Sequence, residues 1–314
     1  MLSPQENELL TRVGPGTPMG ETLRRYWIPV LFAWELPEPD CDPVAIKVLG
    51  EDLVAFRDTA GEVGVLDAYC AHRRVHLFWG RNEDHGIRCV YHGWLFDVNG
   101  QCTDMPSEPE SSNFKDKVKI ASYPTVERGG VIWAYMGDPA ATPDMPDFEW
   151  CSLPEEQVHH AYKGIYECNW MQALEGDIDT CHLYFLHGRL DPKDPPTYGV
   201  WHDDKAPHLE LVDTEYGVYY GASRKEDDNR TYWRTTQFLF PIFTMFPATE
   251  DGFVPSHMYT PIDDNLTMHW GLRWHPSRTM PGNRKLVQDI HKVPDLNGMG
   301  PMKPEQKGMF FADW

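Results

Sequence analysis

Two short stretches decide the fold of this chain: Cys70-Ala71-His72 and, after sixteen intervening residues, Cys89-Val90-Tyr91-His92. Each stretch carries one thiol and one imidazole, so the two form a matched pair of metal-binding loops. Two thiolates and two imidazoles suit a [2Fe–2S] cluster in which both Cys bind one iron and both His bind the other. Imidazole ligation makes such a cluster easier to reduce than an all-Cys ferredoxin. The spacing therefore predicts a one-electron redox protein.

A zinc site is the alternative interpretation, because two Cys and two His also bind zinc. Zinc fingers pair Cys with Cys and His with His in their short spacings, whereas each stretch here carries one of each. The second stretch continues with Gly93 and Trp94, and the hairpin signal Asn99-Gly100 follows it. We expect Gly93 to permit a tight turn at the ligand and Trp94 to shield the ligand from water. This context favours the cluster.

The composition of the chain limits its partners and its compartment. It has 28 Lys and Arg against 48 Asp and Glu, a formal net charge of −20. This excess of acid argues against nucleic acid and against an anionic membrane. It is consistent with plain solubility or with docking of a basic electron donor. No stretch approaches the ~20 apolar residues of a membrane span, the N-terminus lacks a signal-peptide pattern, and the cysteines show no disulfide pattern. We therefore expect a cytoplasmic protein.

Short β-type runs dominate the first half of the chain after its N-terminal segment. They cover residues 45–49, 53–56, 63–66 and 130–135. They predict a small all-β domain over residues 27–140, preceded by a helical segment over residues 1–26. In that segment Ser3, Pro4 and Glu6 form the pattern of a capped helix start, and we expect helices over 5–13 and 18–26.

Residues 141–314 predict a second domain of a different class. A helix begins near Asn169, and longer runs rich in aromatic residues and Thr follow at 209–221, 232–246 and 267–274. This order predicts an antiparallel sheet that carries helices, so the fold class of the whole chain is α+β. No G-x-G-x-x-G follows a strand. We therefore expect electrons to arrive from another protein.

The helix that begins near Asn169 carries a second group of candidate metal ligands. Four side chains share one helical face if the helix is continuous: Gln172, Glu175, Asp179 and His182. His187 follows five residues later, so the helix would need to loosen to bring both His to one metal. Two His and one carboxylate on one face of Fe(II) leave positions open for O2 and substrate. A helix with two structural histidines is the alternative, but a cluster needs an electron acceptor nearby.

With both motifs present, the chain resembles the oxygenase (alpha) component of the Rieske non-haem iron oxygenases. The resemblance extends from Leu2 to about Phe246. It is strongest to the phthalate dioxygenase-like group, judging from the stretch at 8–20, the Tyr-His-Gly-Trp loop at 91–94 and Met-Pro-Ser-Glu-Pro at 105–109. It implies an all-β Rieske [2Fe-2S] domain followed by a catalytic domain of the helix-grip, START-like kind.

The resemblance also implies the cofactors and the residues that bind them. The Rieske [2Fe-2S] cluster is held by Cys70, His72, Cys89 and His92. A mononuclear Fe(2+) is held by His182 and His187. Asp179 matches the carboxylate that links the iron site to a cluster His of the neighbouring subunit. That role implies a homotrimer or stacked trimers.

The activity implied is that of an aromatic ring-hydroxylating dioxygenase in aromatic hydrocarbon catabolism. It uses O2 and electrons from an NAD(P)H-dependent reductase, directly or through a ferredoxin, to hydroxylate a small aromatic, phthalate-like carboxylate. Two alternatives stay open: a monooxygenase such as an aryl-ether O-demethylase, and a chain that performs cluster-only electron transfer. Residues 238–243 are the predicted pocket strand, and Arg234 is a conceivable carboxylate anchor.

The third iron ligand of the family has no clear match in this sequence. In the family it is an Asp or Glu near the end of a chain that is usually longer. Asp289, Asp295 and Asp313 come too early for that pattern. We therefore expect this ligand beyond Trp314, with the catalytic domain C-terminally incomplete.

Overall fold

The chain forms two compact units in a computed structural model that describes residues 2–186, 205–225, 227–249 and 251–280. The first unit consists of Met1–Glu155 together with Thr260–Asn265. The second consists of Glu156–Tyr259 and the residues from Leu266 onward. The domain boundaries at residues 26 and 140 stay predictions.

Two short helices open the first unit, α1 (Pro4–Thr11) and α2 (Pro18–Leu23). Ser3 caps α1: its hydroxyl accepts the N–H of Glu6, and the carboxylate of Glu6 accepts the N–H of Ser3. This is the capping box that the sequence predicted. Both helices end earlier than expected, because the backbone becomes extended at Arg12 and enters the first strand at Trp27.

Eleven strands make up most of the rest of the first unit, followed by a one-turn helix, α3 (Glu149–Ser152). They form three sheets, with the orders β1-β11-β10, β2-β3-β4-β9 and β5-β6-β7-β8. The strands are β1 (Trp27–Phe32), β2 (Val44–Val48), β3 (Glu51–Arg57), β4 (Val63–Asp67), β5 (Arg81–Glu83), β6 (Gly86–Arg88), β7 (Leu95–Phe96), β8 (Cys102–Asp104), β9 (Ser122–Tyr123), β10 (Thr125–Arg128) and β11 (Val131–Tyr135). The expectation of a mostly β domain here is confirmed.

The residues of the hydrophobic core beneath the two cysteine-containing loops are almost inaccessible to solvent. Phe56 and Phe96 are fully buried in it, and burial of each such side chain contributes about 1.5–3 kcal/mol. Cys70, Cys89 and Trp94 belong to the same packed cluster. The two loops therefore rest on a rigid apolar base.

A seven-stranded sheet forms the frame of the second unit, with the order β12-β18-β17-β16-β15-β14-β13. Its strands are β12 (Val158–Tyr166), β13 (His208–Thr214), β14 (Gly217–Lys225), β15 (Thr231–Leu239), β16 (Phe243–Met245), β17 (Val254–Pro261) and β18 (Thr267–Trp274). Among the described residues between β12 and β13 are the helices α4 (Trp170–Ile178) and α5 (His182–Phe185). The α+β class is confirmed. No helix in the described parts of the chain is long and apolar enough to cross a membrane.

Two runs that the sequence indicated as single long strands are each divided in two. The run at 209–221 contains a tight hairpin, in which Thr214 pairs with Gly217 across a two-residue loop. Gly217 has a φ of +145°, a conformation that favours glycine. The run at 232–246 breaks before β16, because Pro241 has no N–H to donate to a strand ladder.

Candidate metal centres

The first loop folds around the backbone of Cys70. The N–H of Cys70 donates to the carbonyl of Val75, and the N–H of Arg74 donates to the carbonyl of Cys70, both at 3.0 Å. The thiol of Cys70 faces the backbone N–H groups of His72 and Arg73. N–H groups that point at a cysteine sulfur favour its anionic form and raise the potential of a cluster that it binds.

The second loop turns at Gly93, as the sequence predicted. The N–H of Cys89 donates to the carbonyl of Trp94 at 2.9 Å, and the N–H of Gly93 donates back to the carbonyl of Cys89 at 3.0 Å. Gly93 has a φ of +74°, and a Cβ there would lie 2.7 Å from Cγ of Pro106. Any larger residue would therefore be strained and would displace the loop from its neighbour.

Arg88 stabilises the second loop through hydrogen bonds from its guanidinium. Its guanidinium donates to the carbonyl of Gly93 at 2.8 Å and to Asp104 at 2.7 Å. It also donates to Glu83 at 2.6 Å and to Asp84 at 3.0 Å. One buried cation thus joins the loop to the carboxylates of β5, β8 and the turn after β5.

The two loops bring their predicted ligands together. The imidazole rings of His72 and His92 lie 4.4 Å apart between centroids, and both Cys70 and Cys89 are buried. The indole of Trp94 stacks on His72 at 4.7 Å with an interplanar angle of 11°, so a residue of the second loop shields a ligand of the first. Nδ1 of His72 is buried and has no hydrogen-bond partner among the described residues. A buried ring nitrogen of this kind is suited to bind a metal.

The protonation of these side chains in the metal-free chain follows from their burial. Burial raises the pKa of the Cys70 thiol to about 11, and the neighbouring Cys89 adds to the shift. Partial desolvation, with a smaller contribution from His92, lowers the pKa of His72. The imidazole is therefore neutral and ready to act as a ligand, whereas metal binding must displace a proton from the thiol.

The four side chains are paired by type. The imidazole rings of His72 and His92 lie side by side, and the thiols of Cys70 and Cys89 are close enough to hydrogen-bond. Zinc needs its four ligands at about 2.0–2.3 Å from a single point. A [2Fe–2S] cluster needs only one pair of ligands at each of two separated irons. The donor set and its pairing therefore fit the cluster.

The second predicted metal site lies where α4 ends and α5 begins. Asp179 is the first residue after α4 and is extended, with φ −67° and ψ 128°. Its carboxylate accepts the N–H of Cys181 at 2.7 Å and the N–H of His182 at 3.1 Å. The expectation of one continuous helical face through Asp179 and His182 is therefore wrong, because Asp179 stops one helix and caps the next.

Side chains of the sheet hydrogen-bond to the backbone immediately before and after Asp179. The hydroxyl of Tyr220 donates to the carbonyl of Ile178, and the guanidinium of Arg224 donates to the carbonyl of Thr180 at 2.9 Å. Asp179 lies between these anchors, with 45% of its side chain exposed, and Nδ1 of His182 lies 3.5 Å from its Oδ2. Asp179 and His182 are therefore brought together on a fixed turn.

His187, the second predicted iron ligand, lies outside the described residues, as do Asp289, Asp295 and Asp313. The structure thus describes one of the two predicted iron histidines. His182 supplies an imidazole, a donor that suits iron, from a position that the sheet fixes.

Comparison with known proteins identifies both halves of the chain. Residues 26–124 match the Rieske [2Fe-2S] domain family, and residues 134–292 match the family described as LigXa C-terminal domain like. The chain belongs to the Rieske non-haem iron oxygenases. Its relatives include the phthalate 4,5-dioxygenase oxygenase subunit of Pseudomonas putida, with 43% identity over 293 residues. That match covers 89% of this chain and 66% of the relative.

Another relative of this Rieske oxygenase chain has a different activity. The 5,5'-dehydrodivanillate O-demethylase oxygenase subunit of Sphingobium sp. (strain NBRC 103272 / SYK-6) is 36% identical over 98% of this chain and 69% of its own length. Pseudomonas putida CBB5 NdmA with caffeine has the same fold, with a TM-score of 0.67, 22% identity and coverage of 83% and 77%. The predicted resemblance to the phthalate dioxygenase-like group is confirmed, and with it the family's cofactors, a Rieske cluster and a mononuclear iron.

Three residues of this Rieske oxygenase that the sequence reasoning did not single out lie around the Asp179 turn: Asp177, Arg224 and His257. Arg224 lies near the end of an aromatic-rich strand, where the sequence alone predicts an exposed arginine. His257 precedes a Pro-Ile-Asp-Asp turn with no metal-ligand spacing. The only sequence signal of Arg224 and His257 is a charged or titratable side chain inside a β-type run, and Asp177 is one of several carboxylates in the predicted helix.

Proposed function

We propose that this chain hydroxylates a small aromatic carboxylate, with O2 as oxidant and electrons from an NAD(P)H-dependent reductase, directly or through a ferredoxin. Four side chains would hold the Rieske cluster: Cys70, His72, Cys89 and His92. His182 and His187 would hold the mononuclear iron, which supplies the O2 chemistry when bound. Asp179, exposed on its turn, would link that iron to a cluster His of a neighbouring subunit in a trimer.

The proposal of an acidic substrate depends mainly on Arg224, whose guanidinium is buried and only partly hydrogen-bonded. Its side chain is 1% exposed, and Nη2 donates to the carbonyl and the hydroxyl of Thr180. Nε and Nη1 are buried and have no partner among the described residues. Burying such a charge without a counter-ion is strongly unfavourable. A carboxylate that accepts from one of these nitrogens would supply the missing counter-ion through a charge-assisted hydrogen bond.

A second guanidinium, that of Arg234, lies on the same face of the sheet. Arg234 pairs with Ala222, and Tyr232 pairs with Arg224, so the two arginines are diagonal neighbours on β14 and β15. Burial lowers the pKa of Arg234, and the charge of Arg224 contributes to the shift. Two cations held close together next to the Asp179 turn suit a substrate with negative charge, such as an aromatic carboxylate.

Replacing Arg224 with Met tests this assignment. We expect KM for an aromatic carboxylate substrate to rise by about 100-fold, since charge-assisted hydrogen bonds contribute about 1.5–3 kcal/mol each. We also expect the substrate-free protein to become more stable to heat, because an apolar side chain replaces a buried charge. Arg230→Met, which removes an exposed arginine from the turn after β14, is the control. An unchanged KM in Arg224→Met would overturn the carboxylate assignment.

An aryl-ether O-demethylase is the second candidate, favoured by the 36% identity to an O-demethylase subunit over 98% of this chain. The test is product analysis under labelled O2 with reductase, reduced nicotinamide and an aromatic carboxylate. Dioxygenation joins O2, two electrons and two protons to the ring, so both labelled atoms appear in a cis-diol. Demethylation uses the same inputs, and it yields a phenol, formaldehyde and water. Consumption of electrons without either product would indicate cluster-only transfer.

The location of the protein is part of the same proposal. All seven cysteines are free thiols, with none joined in a disulfide. This pattern suits a reducing compartment. We place the protein in the cytoplasm, where a nicotinamide-dependent reductase would also be found.

A further inference from the structure

Asp177 places a carboxylate where a helix does not favour one. It lies in the last turn of α4, at the negative end of the helix dipole. Only 14% of its side chain is exposed, so water compensates little of its charge. A buried carboxylate at such a position is retained only if other groups donate hydrogen bonds to it.

Three donors from two adjacent strands meet this carboxylate. The hydroxyl of Thr244 on β16 donates to Oδ2 of Asp177. Nδ1 of His257 on β17 lies 3.1 Å from Oδ1 and 3.2 Å from Oδ2. Tyr259, two residues further along β17, also hydrogen-bonds to Asp177. Thr244 and His257 are directly opposite in the strand register, so the donors form one platform on one face of the sheet.

Packing fixes the platform itself. The ring of His257 meets the edge of His269 at 4.6 Å and that of Phe246 at 5.2 Å between centroids. The ring of Tyr259 stacks on His269 at 4.7 Å, and burial raises the pKa of Tyr259 so that its hydroxyl remains a donor. The side chains that hold Asp177 therefore cannot rearrange without disturbing the core of the sheet.

The carboxyl end of α4 is thereby tied to β16 and β17 immediately before the Asp179 turn. Asp179 lies two residues after Asp177, and His182 lies five residues after it. The position of Asp177 therefore sets where the backbone that carries Asp179 and His182 begins. We propose that Asp177 is a positioning residue of the mononuclear-iron site, acting through the backbone of the Asp179 turn. This inference rests on the proposed function, because it takes His182 as an iron ligand.

The test compares two threonines that each donate to one end of α4. Thr244→Val removes a donor to Asp177 at the carboxyl end. Thr267→Val removes an equivalent buried donor to the carbonyl of Cys168, at the amino end. Asp177→Asn keeps the shape of the side chain and removes its charge. Each variant is prepared as the full chain with its cluster, and titrated anaerobically with Fe²⁺. Nitric oxide then serves as an EPR probe of the bound iron.

We expect Asp177→Asn to lose about tenfold in Fe²⁺ affinity, the lower end of what supporting residues at metal sites contribute. The EPR signal of the nitric oxide complex should also change its rhombicity, which a general loss of stability would not cause. Thr244→Val should show the same changes to a smaller degree, and Thr267→Val should show neither. In the iron-free chain, the backbone amides of Cys181 and His182 should exchange with deuterium faster in Asp177→Asn and Thr244→Val. Their exchange should be unchanged in Thr267→Val.

Two results would overturn the inference while leaving the iron site itself in place. One is unchanged Fe²⁺ affinity and EPR signal in Asp177→Asn. The other is an equal loss of Fe²⁺ affinity in Thr244→Val and Thr267→Val. This second result would overturn the inference even if Asp177→Asn did not fold. Failure of the unmodified chain to bind Fe²⁺ would instead overturn the assignment of His182, and the positioning role with it.

Discussion

The Cys70→Ser variant is expected to purify without its [2Fe–2S] cluster and to accept no electrons from a reductase. A serine hydroxyl is a poor ligand for iron in such clusters, which thiolates hold. The Cys70 sulfur also lies in the packed core with the N–H groups of His72 and Arg73 directed at it, so its surroundings suit a buried thiolate ligand. Iron and acid-labile sulfide, together with the visible absorption spectrum, should fall by at least about tenfold.

Cys102→Ser is the matched control for this variant. Cys102 is buried in the same hydrophobic core, and burial raises the pKa of its thiol to about 11, as it does for Cys70. Its sulfur contacts the carbonyl of Asp104 and belongs to neither loop. The control should therefore keep a full cluster with at most a modest loss of stability. If Cys70→Ser retained the cluster, the ligand assignment would be wrong.

The Asp179→Asn variant is expected to keep its cluster and to lose turnover by about 100-fold or more, the upper range for residues that support a metal site. The amide oxygen of the variant can still accept one of the two hydrogen bonds that the N–H groups of Cys181 and His182 donate to Asp179, so the turn should persist. It cannot carry the negative charge that the proposed link to a cluster His requires. After reduction of the cluster, its reoxidation on mixing with O2 and substrate should become correspondingly slow.

Glu175→Gln is the control for Asp179→Asn. Glu175 is an exposed carboxylate on α4, four residues before Asp179, and replacing it with Gln changes the net charge by the same amount. Its turnover and the rate of cluster reoxidation should match those of the unmodified chain. Normal turnover in Asp179→Asn would refute the link, whereas loss of the cluster in that variant would indicate a structural role instead.

The cluster loops could be predicted from the sequence because everything they need is local. Each loop is a few residues long and holds its own two ligands, and in the second loop the turn glycine and the tryptophan follow the ligands directly in the chain. Gly93 is required by a positive φ and a close neighbour, and both follow from the tight turn between Cys89 and Trp94. Local geometry of this kind leaves a signature in the order of residue types.

The environment of the Asp179 turn could not be predicted, because its contacts join distant parts of the chain. Asp177 and His257 are 80 positions apart, and Arg224 meets Thr180 across 44. The helix break at Asp179 depends on the competition between helix continuation and a side-chain cap, which periodicity alone does not decide. From the sequence alone, a charged residue in a β-type run is predicted to face solvent. Only the order of the strands shows that such a residue lies beneath a helix.

The interlocking of the two cluster loops has a consequence for the speed of electron transfer. Trp94 of the second loop stacks on His72 of the first, Arg88 holds the carbonyl of Gly93, and each loop is closed by its own backbone hydrogen bonds. Atoms fixed in this way shift little when the charge beside them changes by one electron. The reorganisation energy contributed by the protein is therefore small, and the transfer rate depends mainly on donor–acceptor distance and driving force.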